Sequence, residues 1–169
     1  RLSVPDRRAS PAGSRQTEGM ENPADLPFID DTARDRITVT GDDALTYLQS
    51  PIAQEIRDIA VGDTRRTFVP APTGKVDALA RIARTAETTF VLDTDAGFGE
   101  HLLTRINRFK IRVKADTELA FADCDVPSAA HETARVAAGW PRMGAEIVPG
   151  ETIPATTGVV LLAVNFTKG

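Results

Sequence analysis

The sequence predicts an α+β domain with a mostly antiparallel sheet and helices on one face. Short segments that alternate apolar with polar residues recur between Arg36 and Leu92, and a single 3.6-period stripe runs through Phe98, Leu102 and Ile106. Strand and helix patterns follow one another in the order β-α-β-β-β-α-β, which suits an antiparallel sheet better than a parallel one. At 169 residues, with 41% hydrophobic and 26% charged side chains, the chain is long enough to bury a core of its own.

Residues 1–27 are rich in Arg, Ser and Pro and cannot bury enough apolar surface to offset the entropy of ordering. They are read as a disordered arm, with the domain over residues 28–169. The arm has no apolar core of the kind that marks a secretory signal, and Met20 reads as a natural start.

Ile37 and Val39 alternate with threonines up to Gly41, giving the first strand. Asp42 or Asp43 then offers a cap for a helix with Ala44, Leu45 and Leu48 on its apolar side, closed by Pro51. Residues 52–63 are a connection turning at Gly62-Asp63, and Thr67-Phe68-Val69 begins the second strand. Pro70-Ala71-Pro72-Thr73-Gly74 forces a reversal, because Pro fixes φ and Gly supplies a positive one. Lys75 to Ala83 is the third strand, with Val76, Ala78, Ala80 and Ile82 on one side and Asp77, Leu79 and Arg81 on the other. A turn at Ala86-Glu87 leads to the returning strand Thr89-Phe90-Val91-Leu92.

Asp93 or Asp95 is expected to cap the second helix, with Glu100, Thr104 and Arg105 opposite its apolar stripe. Lys110-Ile111-Arg112-Val113-Lys114 reads as a strand with one wet, positive face. Pro127-Ser128 starts a third helix over His131 to Ala138, and Gly139 stops it. Trp140-Pro141 makes a corner and Gly144 a second turn. The run Val159-Val160-Leu161-Leu162-Ala163-Val164 is read as a buried strand.

A net charge of −4 argues against general nucleic-acid affinity, and no apolar run is long enough to cross a membrane as a helix. The single cysteine, Cys124, leaves no partner for an internal disulfide and fits a reducing, cytoplasmic setting. Placed between Asp123 and Asp125, its thiol is a poor nucleophile. No metal-ligand spacing, nucleophile–base pair or phosphate loop is present; Gly97-Phe98-Gly99 is too short for a dinucleotide fingerprint.

Four segments, in order, resemble the YgfZ/GcvT folate-binding family. They are Ile37 to Gln49, Pro72-Thr73-Gly74-Lys75-Val76-Asp77-Ala78-Leu79, Arg105 to Arg112, and Arg135 to Glu146 together with Asn165-Phe166-Thr167-Lys168-Gly169. The last run looks like the start of the YgfZ signature Lys-Gly-Cys-Tyr-x-Gly-Gln-Glu, with Lys168 and Gly169 as its opening pair. The resemblance implies a truncated GcvT-like domain built from ferredoxin-like halves and incomplete at its C-terminus, with tetrahydrofolate as the ligand. It implies a YgfZ-type accessory protein for iron–sulfur cluster assembly or repair, with iron–sulfur client enzymes as partners and a monomeric state. The alternative within the family is an aminomethyltransferase, and a third reading is an inactive fragment of either. No catalytic residue is assigned.

The same resemblance nominates Lys75, Asp77, His131 and Arg135 as folate-binding residues. Asp77 lies near an Asp that touches folate in the transferases; read alone, it is a polar residue on a wet strand face. Lys75 suits the glutamate tail of folate, or is a solvated turn lysine. His131 is placed to stack on a pteridine, or is simply exposed; Arg135 either reaches the ligand or bonds into the protein. Arg105, Arg108, Lys110, Arg112 and Lys114 form a basic cluster suited to a polyglutamate tail or an RNA backbone, or to plain solvation. His101 reads as a helix-surface residue and Trp140 as a packing corner. Most relatives carry a glutamate on the third helix that grips the pterin; here that place is Ala137.

Overall fold

The computed structural model describes residues 33–168 except Phe109 and Asp125. The arm proposed for residues 1–27 and the signature residue Gly169 lie outside the described residues. The expected fold class is present: a five-stranded antiparallel sheet in the order β2-β3-β4-β1-β5, with short helices packed on it. Its strands are β1 (Arg34–Thr40), β2 (Thr64–Pro70), β3 (Val76–Ala86), β4 (Thr89–Asp95) and β5 (Asp116–Ala120). The helices are α1 (Ala44–Gln49), α2 (Gly99–Asn107), α3 (Ala129–Ala137) and α4 (Val160–Ala163).

Strand register explains the two unlike faces of the sheet. Residues directly opposite one another share a face, so the pairs Ile37↔Leu92, Val39↔Phe90 and Ile82↔Leu92 assemble one apolar layer. Helix α2 covers that layer with Leu102 and Ile106, both fully buried. The pairs Arg34↔Asp95, Arg81↔Asp93 and Arg66↔Arg81 place a charged layer on the other face. There Asp93 receives Arg34 Nε at 2.6 Å and Arg81 Nε at 2.7 Å, while Arg34 Nη1 reaches Asp95 at 2.8 Å. Trp140 closes over this layer with its ring 4.3 Å from the Arg66 guanidinium carbon. Burial, reinforced by Arg34 and Arg81, pushes Arg66 down to about 10.

Five local expectations are corrected. Asp93 and Asp95 do not cap α2, because β4 runs through Asp95 and both carboxylates serve the charged layer. Asp35 takes over at that helix start, its Oδ2 accepting from Gly97 N at 2.9 Å and Gly99 N at 2.8 Å. Arg105 lies buried rather than on the wet side of α2, because its guanidinium turns toward the carbonyl oxygen of Pro70.

Lys110 to Lys114 is a loop, not a strand, and the fifth strand begins later at Asp116. Arg112 sits at φ 54°, which breaks an extended run despite the alternating pattern. Val159 to Val164 is likewise not a strand: Val160–Ala163 form a helical turn that buries Val159 and Ala163, four apart, and leaves Leu161 at the surface. A short apolar run is compatible with either structure, and here the i, i+4 spacing prevails. Asp43 does sit at the N-cap of α1, but its side chain accepts from Lys114 N instead of capping the helix.

Candidate functional site

The β2–β3 turn positions two of the proposed ligand residues. Ala71 N donates to the Lys75 carbonyl at 2.8 Å and Gly74, at φ 78°, donates to the Ala71 carbonyl at 2.9 Å, so the reversal forms where the Pro and Gly residues demand it. Beyond the turn Val69 faces Ala78 and Pro70 faces Val76, leaving Asp77 as the extra residue of a β-bulge. A bulge re-aims the side chain it carries. Asp77 accordingly reaches α2, with Oδ1 2.9 Å from His101 Nε2 and Oδ2 3.1 Å from Arg105 Nε. Arg105 Nη2 donates to the Pro70 carbonyl at 2.6 Å, tying the turn to the helix. Asp77 Oδ1 thus faces the His101 imidazole and Oδ2 the Arg105 cation, whose Nε hydrogen goes to the Pro70 carbonyl.

Lys75 lies on the rim of an apolar pocket of about 250 Å³ whose walls include Phe68, Pro70, Val160, Val164 and Phe166. Among the described residues that line the pocket Lys75 alone is ionisable, and it lends its apolar stem to the wall. An apolar slot with one cation suits a flat apolar body that carries a carboxylate. The segment after α3 docks beside it: Val76 N donates to the Thr152 carbonyl and Gly150 N to the Val76 carbonyl, both at 2.8 Å.

The other two nominated residues share α3. Ser128 caps this helix, its hydroxyl accepting from His131 N at 3.2 Å, and His131 itself is half-buried. The helix ends in a Schellman pair, Gly139 N to the Val136 carbonyl and Trp140 N to the Arg135 carbonyl. Arg135 is buried with its donors turned inward, onto both oxygens of Glu132, onto Glu146 at 2.9 Å and onto the Trp140 carbonyl. The bond to Glu132, against the cost of burial and with help from Glu146, raises the guanidinium above its ordinary value. Ala137, in the last turn of α3, is exposed.

No hydrogen bond or ion pair among the described residues joins Lys75 or Asp77 to His131 or Arg135. Lys168 is tied elsewhere, its ammonium donating to the carbonyls of Gln49, Ile52 and Gln54 at the end of α1. The partnership of His101 and Arg105 with Asp77 escaped the sequence reading; their i, i+4 spacing on one helix was the available signal. Among the described residues no His, Cys, Asp and Glu side chains group to hold a metal ion, and no helix is long and apolar enough to cross a membrane.

No protein-family model matches the chain, and no curated protein matches it. Among solved structures, the fold is similar to that of the glycine cleavage system aminomethyltransferase T from Bartonella henselae, with a TM-score of 0.51 and 16% identity. That likeness identifies the fold. It covers 54% of this chain and 25% of the aminomethyltransferase, so the match spans a quarter of the length of that enzyme.

Proposed function

We propose that the chain is a tetrahydrofolate-binding protein of the YgfZ type, acting in the cytoplasm as a monomer in iron–sulfur cluster assembly or repair, with residues 28–169 as its folate module. One observation carries the folate part: within an aminomethyltransferase-like fold, an apolar pocket is served by the single charge of Lys75. The p-aminobenzoyl body and glutamate carboxylate of a folate match that combination in shape and charge. The YgfZ part is supported by the sequence resemblance that ends at Lys168-Gly169. The alternative, an aminomethyltransferase, is favoured by the identity of the structural neighbour.

Binding is tested by titrating 5-formyltetrahydrofolate against Trp140 emission. Trp140 stacks on Arg66, which shares a face of β2 with the pocket residue Phe68, so an occupied pocket is expected to quench it. Lys75→Gln is expected to weaken binding about tenfold, as loss of a charge-assisted bond does. No quenching at millimolar ligand overturns the folate reading. Transfer of a one-carbon unit to tetrahydrofolate by this chain would replace the accessory role with the enzyme.

A further inference from the structure

A second pocket, using none of the residues around Lys75, lies between α1 and the loop that follows α2. It is open, has a volume of about 400 Å³, and is lined by Asp43, Thr46, Tyr47, Ser50 and Val113. Residues 43, 46 or 47, and 50 share one face of a helix, which is why a carboxylate and two hydroxyls converge there. The Asp43 backbone N–H donates to the Lys114 carbonyl at 3.3 Å, and Asp43 Oδ2 accepts from Lys114 N at 2.8 Å. These two bonds fix the loop as one wall and leave Oδ1 of Asp43 for another donor. Tyr47 spends its hydroxyl on Asn107 and, desolvated, is pushed up to about 12, so it contributes a neutral ring.

The same loop is the strongest local departure from the acidic balance of the chain. Arg108, Lys110, Arg112 and Lys114 occur with no acid among them, and no ion pair among the described residues engages their side chains. Val113, between Arg112 and Lys114, forms part of the pocket wall, so two exposed cations flank it. Arg112 is also the one non-glycine residue held at positive φ among the described residues, a conformation that costs free energy and collects at functional sites.

Hydroxyl acceptors inside a pocket, and exposed cations on either side of the wall residue Val113 in the chain, are complementary to one chemical class. We propose that this pocket binds a sugar phosphate: ring hydroxyls on Asp43, Thr46 and Ser50, and the phosphate on Arg112 and Lys114. Such a unit comes free, as a pentose phosphate, or as part of a mononucleotide.

The test is titration of the 169-residue chain with ribose 5-phosphate, AMP and inorganic phosphate, followed by backbone amide shifts. Ribose 5-phosphate is expected to shift residues 42–50 and 110–114 and to bind about tenfold or more tighter than inorganic phosphate, since the hydroxyl contacts add to the charge. Ser50→Ala should weaken ribose 5-phosphate and leave inorganic phosphate unchanged. Arg112→Gly, at a backbone conformation that glycine adopts without strain, combined with Lys114→Gln, should weaken both about tenfold or more while keeping the spectrum folded. AMP binding alongside ribose 5-phosphate points to a nucleotide, and ribose 5-phosphate alone to a free sugar phosphate. Equal affinity for inorganic phosphate and ribose 5-phosphate, AMP binding without ribose 5-phosphate, or a double variant that binds as the parent does would each overturn the proposal.

Discussion

Arg135 combines a buried guanidinium with two carboxylates that remain partly in solvent, and their titration should report on it. The Arg135 bond, opposed by burial, holds Glu132 below the ordinary value of 4.5; at Glu146 burial pushes upward but bonds from Arg135 and Arg142 N prevail, again below 4.5. Carboxyls depressed in the folded state contribute stability that is present above about 4.5 and lost as the pH falls through their folded-state values. The urea midpoint is therefore expected to fall between neutral pH and about pH 3, and Arg135→Met should flatten that slope as well as lower stability at neutral pH. An unchanged slope would show that the carboxylates titrate independently of Arg135. The sequence left open whether this arginine faces a ligand or the protein, since helix position alone does not reveal that Glu146, eleven residues on, folds back to it. A folate reaching Arg135 has to compete with two carboxylates.

Elements whose signals are local were legible; those settled by a distant contact were not. Gly139 could be recognised as a helix stop because the Schellman motif asks only for a left-handed residue at that point, and it stands at φ 66°. The loop at Lys110 to Lys114 could not, because its path is decided by the turn at Gly41, which packs on Lys114 and Ala115. A Cβ at Gly41 would lie 2.2 Å from the Lys114 carbonyl oxygen, whereas one at Gly139 would meet nothing within 4 Å. Gly139→Ala is expected to cost about 1 kcal/mol, the strain of left-handed backbone alone. Gly41→Ala should cost about 3 kcal/mol or more, since backbone must move. Thermal or urea unfolding of the pair checks the ranking, and equal losses would contradict the close approach. In the same way the Asp77 bulge was unreadable: alternation along β3 continues through it, and only the register against β2 exposes the extra residue.

Across the whole molecule the charged layer works as a clasp, since Asp93 on β4 binds Arg34 of β1 and Arg81 of β3. Replacing it by Asn leaves two arginines around a neutral, nearly buried group, and Asp93→Asn is expected to cost about 3 kcal/mol in urea unfolding. A loss below about 0.5 kcal/mol would mean that those arginines rely on other partners. The antiparallel character of this sheet was evident from the succession of strands and helices; its polar face was not, because the arginines and aspartates that compose it are scattered from residue 34 to residue 95 and read singly as surface charge.

Lys168 bonds to a carbonyl 119 positions earlier in the chain. A contact that closes so long a loop is among the last to form, since the intervening sheet must first bring its ends together. Lys168→Met should therefore accelerate unfolding in stopped-flow experiments and leave the refolding rate nearly unchanged, whereas a slowed refolding arm would place the lysine in the folding nucleus. During synthesis the five strands are all made before this latch emerges, so a nascent chain holds its sheet for a time with the end of α1 still open to whatever binds carbonyl groups.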